Sequence, residues 1–147
     1  MQKNVVISVK GVQKYDNTDP ETVELVTEGL LQEEKGIWVL SYEESEMTGL
    51  EGTQTVITVE GEQVTLVRTG HFNSQMVFRE GRRHLSMYNT PYGSLAIGVN
   101  TRHLLVDLSE SGGTLEVDYT IEMDHAVTGR NIFQIKVEEA QGDSLKH

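Results

Sequence analysis

The sequence predicts a single all-β domain on three observations. Val, Ile and Thr number 17, 7 and 14 while Ala numbers only 3; β-branched side chains suit a pleated sheet, and Ala is the strongest helix former. Apolar and polar residues alternate with period two along nearly the whole chain, as half-buried strands require. Short clusters of Gly, Asn, Asp and Pro punctuate these runs at hairpin spacing. The 147 residues fit one domain, 1–147, which would bury about 68 to 70% of its unfolded surface and fold without disulfides or a structural metal.

In chain order, strands are predicted over 5–12, 22–31, 36–44, 53–60, 63–69, 74–79, 84–88, 95–101, 103–108, 114–124 and 131–138. The clearest is 114–124, where Leu115, Val117, Tyr119, Ile121 and Met123 share one face and Thr114, Glu116, Asp118, Thr120 and Glu122 the other. A helix would mix those sets and a strand separates them. Glu60-Gly61-Glu62, Glu80-Gly81 and Gly112-Gly113 read as tight turns, Asn17 to Pro20 as a wider one, and Thr90-Pro91-Tyr92-Gly93 as a rigid corner. Helix has one place to hide, a single turn within 100–109. Consecutive short hairpins favour an up-and-down barrel over a Greek-key sandwich, because closure removes exposed edges.

Composition excludes several classes. No apolar run approaches the roughly 18 residues a membrane-spanning helix needs. Residues Met1 to Asn4 lead straight into a patterned strand, so no signal peptide is expected. Cys is absent, so thiolate catalysis and Cys-based metal sites are excluded, and the expected compartment is a reducing cytoplasm. A formal charge of -11 repels phosphate backbones and anionic lipid, so neither nucleic acid nor membrane is an expected partner.

Strand phase singles out polar residues on an apolar face. Arg68 is in phase with Val64 and Leu66, and Glu44 follows Trp38, Leu40 and Tyr42. An inward Arg calls for a carboxylate beside it. Two readings follow: Arg68 and Glu44, with Trp38, Tyr42, Tyr88, Tyr92 and Tyr119, anchor a small, partly apolar or amphipathic ligand inside a barrel; or they lie at strand ends, reach solvent and pin the mouth. The five His residues lack metal-ligand spacing, so no metal and no cofactor is expected. No nucleophile elbow or phosphate loop is present, and no enzymatic activity is expected. Arg79, Arg82, Arg83 and His84 form the one basic concentration, a docking spot for an anionic group or simply a solvated hairpin tip. A homodimer, or a protein-interaction module with a filled core, stands as the alternative function.

The chain resembles the YwiB-like family of small uncharacterised bacterial proteins. The resemblance rests on Ser41-Tyr42-Glu43-Glu44, Val67-Arg68-Thr69-Gly70, Met76-Val77-Phe78 followed by Gly81, the stretch Tyr88 to Gly93, Thr101 before Asp107-Leu108, and Val117-Asp118-Tyr119. It runs from about Val5 to Val137. It implies a closed, calycin-like (lipocalin-like) antiparallel β-barrel of about eight to ten strands, and it brings no activity or catalytic residues with it.

Overall fold

A computed structural model describes residues 1–15, 19–45, 50–71, 73–90, 93–123 and 126–140, with backbone alone for Tyr88, Asn89 and Thr90. Ten strands follow one another: β1 (Gln2–Lys14), β2 (Glu21–Glu34), β3 (Ile37–Glu43), β4 (Thr53–Glu60), β5 (Gln63–Gly70), β6 (Asn73–Arg79), β7 (Arg83–Thr90), β8 (Gly93–Ser109), β9 (Gly112–Met123) and β10 (Ala126–Glu139). Each pairs antiparallel with its chain neighbours, and β1 closes on β10, so the barrel is up-and-down.

The predicted runs 95–101 and 103–108 are one strand, β8. Its register with β9 shifts between Thr101 and His103, so Arg102 is an extra residue that breaks the period-two pattern without ending the strand. The bulge explains why sequence phase split the strand, and no helical turn forms there. The β6–β7 turn clamps it: Gly81 N–H donates to the Thr101 carbonyl at 2.9 Å, Thr101 N–H donates to the Arg82 carbonyl at 3.1 Å, and the Glu80 carboxylate accepts the Leu104 N–H at 3.0 Å. The predicted Gly112-Gly113 turn is displaced by two residues. The reversal falls at Glu110 and Ser111, since Ser109 lies opposite Gly112. The glycines instead open β9: Gly113 has φ +144°, and a Cβ there would stand 1.8 Å from the Asp107 carbonyl oxygen.

The core is built of rungs that continue from strand to strand, since antiparallel partners point to the same face. One rung joins Trp38, Val59, Val64 and Phe78, and the next joins Leu31, Leu40, Ile57, Leu66 and Met76. All of these except Trp38 are buried. The third rung changes character: Gly29, Tyr42, Thr55, Arg68 and Ser74. Gly29 leaves room for its neighbours, because a Cβ there would meet Ile7 Cδ1 at 2.3 Å and the Ser41 carbonyl at 2.5 Å. The barrel is therefore apolar at one end and polar at the other. It is joined least firmly between β6 and β7, whose paired register is confined to Asn73 with Asn89 and Ser74 with Tyr88.

Asp118, on the polar face of β9, is nevertheless buried. Arg130 of β10 covers it, with Nε donating to Oδ1 at 3.1 Å and Nη2 to Oδ2 at 2.7 Å. These bonds hold the Asp118 carboxyl below the usual Asp range. A group whose folded pKa is depressed stabilises the fold above its unfolded pKa, near 4 for Asp, and loses that contribution as pH falls through the folded value. Asp118→Asn is therefore expected to cost about 1 kcal/mol at pH 7, a figure kept small because Arg130 is half exposed. Urea denaturation against pH should show the variant and the parent converging below about pH 4.

Candidate functional site

The polar end of the barrel holds a cavity of about 320 Å³. Its polar wall is Tyr42 and Glu44 from β3 and the residue following it, Arg68 from β5, Tyr119 from β9 and Asn131 from β10. Its apolar wall includes Val9, Met76, Ile97, Ile121 and Phe133. The bottom rung closes it off: Phe78 is fully buried, and its ring lies 4.9 Å from that of Tyr119, tilted by 51°.

Glu44 is the anomaly at this site. It sits just past the end of β3, where its N–H donates to the Thr53 carbonyl at 2.8 Å and so continues the ladder. That bond keeps the strand phase and turns the carboxylate inward, with only 2% of its side chain exposed. The Thr55 hydroxyl donates to its Oε2. Arg68, with its side chain 18% exposed, brings Nε to 3.8 Å from the same oxygen, near enough for charge pairing and too far for a hydrogen bond. Among the described residues the Arg68 Nε consequently has no hydrogen-bond partner, and the Tyr42 hydroxyl lies beside the Thr55 hydroxyl and the Glu44 carboxylate without meeting hydrogen-bond geometry to either. Burial is the chief reason that the Tyr42 phenol is pushed well above its usual value; the neighbouring Glu44 charge adds to this and Arg68 opposes it. Burial likewise raises the Tyr119 phenol, with Arg68 opposing. Both hydroxyls are held as neutral donors far into the alkaline range.

Of the predicted site residues, Tyr42, Glu44, Arg68 and Tyr119 meet around one cavity. The reading in which Glu44 reaches solvent is overturned, because the ladder bond to Thr53 carries it inside. Trp38 is a correction: it shares the inward phase of Tyr42 but stands four residues away along β3, about 13 Å at strand rise, and packs against the core at the opposite end. Tyr92 lies outside the described residues, and Tyr88 is described in backbone alone. At the basic tip Arg79, Arg82 and Arg83 are exposed, with Arg79 3.7 Å from Glu62 and Arg83 Nε donating to Glu122 at 2.9 Å, while His84 takes the inward phase with a buried Nδ1 that has no partner among the described residues. Among the described residues no three His, Asp or Glu side chains converge as a metal-ligand set.

Sequence reasoning missed Thr55, Ser74 and Asn131, all buried and polar. The signal was available. Thr55 is in phase with Ile57 and Val59, Ser74 with Met76 and Phe78, and Asn131 with Phe133 and Ile135.

Fold and site together define a class: small, closed, up-and-down β-barrels with an apolar floor and a charged, partly buried mouth. The chain belongs to the family described as domain of unknown function DUF1934, which matches residues 7–135. It is similar to the uncharacterized beta-barrel protein YwiB of Bacillus subtilis (strain 168), with 24% identity over 119 residues covering 81% of this chain and 82% of that protein. The crystal structure of YwiB protein from Bacillus subtilis matches with a TM-score of 0.84 and 22% identity, over 95% of this chain and 93% of that one. The YwiB-like resemblance and the closed all-β barrel expected from the sequence are both borne out.

The buried pair carries a stability prediction. Arg68→Met strands the Glu44 carboxylate without its countercharge and is expected to destabilise the barrel by about 3 to 5 kcal/mol, the range for breaking a buried ion pair. Adding Glu44→Gln should recover most of that loss, because no buried charge then remains uncompensated. Urea midpoints of the single and double variants check this; a double variant no more stable than Arg68→Met would contradict it.

Proposed function

We propose that the protein is a non-enzymatic barrel that binds a small amphipathic molecule at its polar end. The ligand's acidic or strongly accepting head would rest on Arg68 and Tyr42, and its apolar part on Met76, Ile97, Ile121 and Phe133. One observation carries this reading: two strong donors, the Arg68 guanidinium Nε and the Tyr42 hydroxyl, are buried in the wall of a cavity with no well-formed hydrogen bond among the described residues. Buried polar groups are nearly always satisfied, so such a pair calls for an acceptor from outside the chain. Glu44 is already engaged by Thr55 and sets a limit on the head group, since a bulky dianion would face its charge. The volume, at the low end for ligand sites, suits a compact molecule rather than a long-chain lipid. The cytoplasm, expected from the acidic, cysteine-free composition, is the proposed compartment.

Tyr42→Phe separates function from stability. Removing an unpaired buried hydroxyl without changing the ring should leave the unliganded barrel as stable as before or slightly more so. It should also weaken ligand binding by about tenfold, the equivalent of one hydrogen bond. Native mass spectrometry of freshly purified protein looks for a co-purified small molecule. Thermal shift with medium-chain carboxylates and matched alcohols then measures affinity; a ligand at 100 times its Kd should raise Tm by roughly 5 to 10 °C. Trp38→Phe should bind unchanged, since Trp38 lies at the other end. No co-purified mass and no shift with any probe would end the ligand reading.

A further inference from the structure

Every seam of the barrel but one pairs over six or more positions. Between β6 and β7 the register stops after Asn73 with Asn89 and Ser74 with Tyr88, so residues 75–79 and 83–87 run side by side without ladder pairing. The turn that joins them is held by β8 instead: Gly81 N–H and the Arg82 carbonyl bond the Thr101 backbone, and Glu80 accepts the Leu104 N–H. The hairpin is therefore tied at both ends and slit along its middle.

Three further observations concern the slit. Buried polar atoms without a hydrogen-bond partner gather along it, with Ser74 Oγ on β6, His84 Nδ1 and Ser86 Oγ on β7, and Thr101 Oγ1 beside the turn. Closed strands shut water away from these atoms, and parted strands hydrate them. The slit is also a wall of the cavity, because Met76, midway along β6, and Ile97, the β8 partner of Ser86, both line it. Its outer lip is apolar: Leu85 and Met87 of β7 are 72% and 53% exposed.

We propose that β6 and β7 part along this slit and open a side passage by which an amphipathic molecule enters and leaves the cavity. The passage rests on the ligand-binding reading above; the opening does not. Parting any other pair of strands breaks a long row of backbone hydrogen bonds. Here the middle of the seam has no ladder to break, and hydration of Ser74, His84 and Ser86 offsets the exposure of Met76 and Phe78. The two paired positions at one end and the β8 clamp at the other keep the strands together, so the opening is local and the barrel stays folded. Leu85 and Met87 give an apolar tail its first contact and Met76 its next.

The chain contains no Cys, so single introduced thiols report the opening. Ser86→Cys places one on the inner bank of the slit, and Val64→Cys places one on β5, likewise buried and laddered on both sides. A thiol reagent should label Ser86→Cys about tenfold faster or more, at a rate nearly indifferent to low urea. Val64→Cys, reached only by global unfolding, should label faster as urea is added. Circular dichroism checks folding, and if Ser86→Cys fails to fold, Ser74→Cys takes its place. Equal rates, or a slit thiol whose rate climbs with urea as steeply as that of Val64→Cys, would overturn the opening. Octanoate tests the passage, its exchange with the protein followed by NMR line shape. A bulky neutral maleimide on Leu85→Cys should slow octanoate association and release together by about tenfold with Kd unchanged. The same group on Val26→Cys, exposed on β2, should change neither. Rates unmoved by the adduct at Leu85 would overturn the passage. Octanoate failing to bind would remove the passage together with the ligand reading, while thiol labelling still decides the opening.

Discussion

The burial of Glu44 against Arg68 is the interaction on which the polar half of this barrel turns. A closed sheet gives each residue only two directions, inward or outward, and continuous rungs carry that choice from strand to strand. Once Glu44 is tied to the Thr53 carbonyl, its carboxylate must face inward. A lone buried charge is prohibitively costly, so the same end of the barrel must supply Arg68 as its countercharge and Thr55 as a donor. The pair is poorly matched as a structural bridge, because at 3.8 Å the guanidinium Nε does not bond the carboxylate. Replacing both by apolar residues would fill the space more simply. That mismatch, beside an open cavity, is what the proposed external acceptor would relieve.

The rest of the interior supports that end without sharing its chemistry. Two rungs of Val, Leu, Ile, Met and Phe fill the barrel below Tyr42 and present a dry floor to the cavity. A dry floor matters because low local polarity strengthens whatever hydrogen bond the mouth makes. It also holds the Tyr42 and Tyr119 phenols in their neutral, donating form. The Asp118–Arg130 pair plays a different part, pinning β9 to β10 on the outer face, away from the cavity.

Most of this was legible in the sequence because period-two phase determines which way a strand residue points. Phase alone placed Arg68 and Glu44 on the inner face, and it would have placed Thr55, Ser74 and Asn131 there as well. It failed where the chain departs from strict alternation. Arg102 inserts one residue into β8, which split a 17-residue strand into two expected runs. It also failed to separate the two ends of the barrel, since Trp38 and Tyr42 share a phase and differ only in height. Asp118 escaped because an outward residue can still be buried by a neighbour's long side chain, here Arg130. The splitting of the Arg79 to His84 tip into ion pairs and an inward His likewise depends on contacts between strands far apart in sequence.

The central proposal is that the Arg68 guanidinium, besides balancing the Glu44 charge, anchors a ligand. Nitrogen-15 NMR of the arginine Nε–H groups tests it most directly. On titration with a medium-chain carboxylate, the Arg68 Nε–H resonance should shift saturably and become protected from solvent exchange, while that of Arg130, already bonded to Asp118, stays unchanged. An Arg68 resonance that does not move with any carboxylate or matched alcohol, in a protein whose other resonances mark it as folded, would contradict the account.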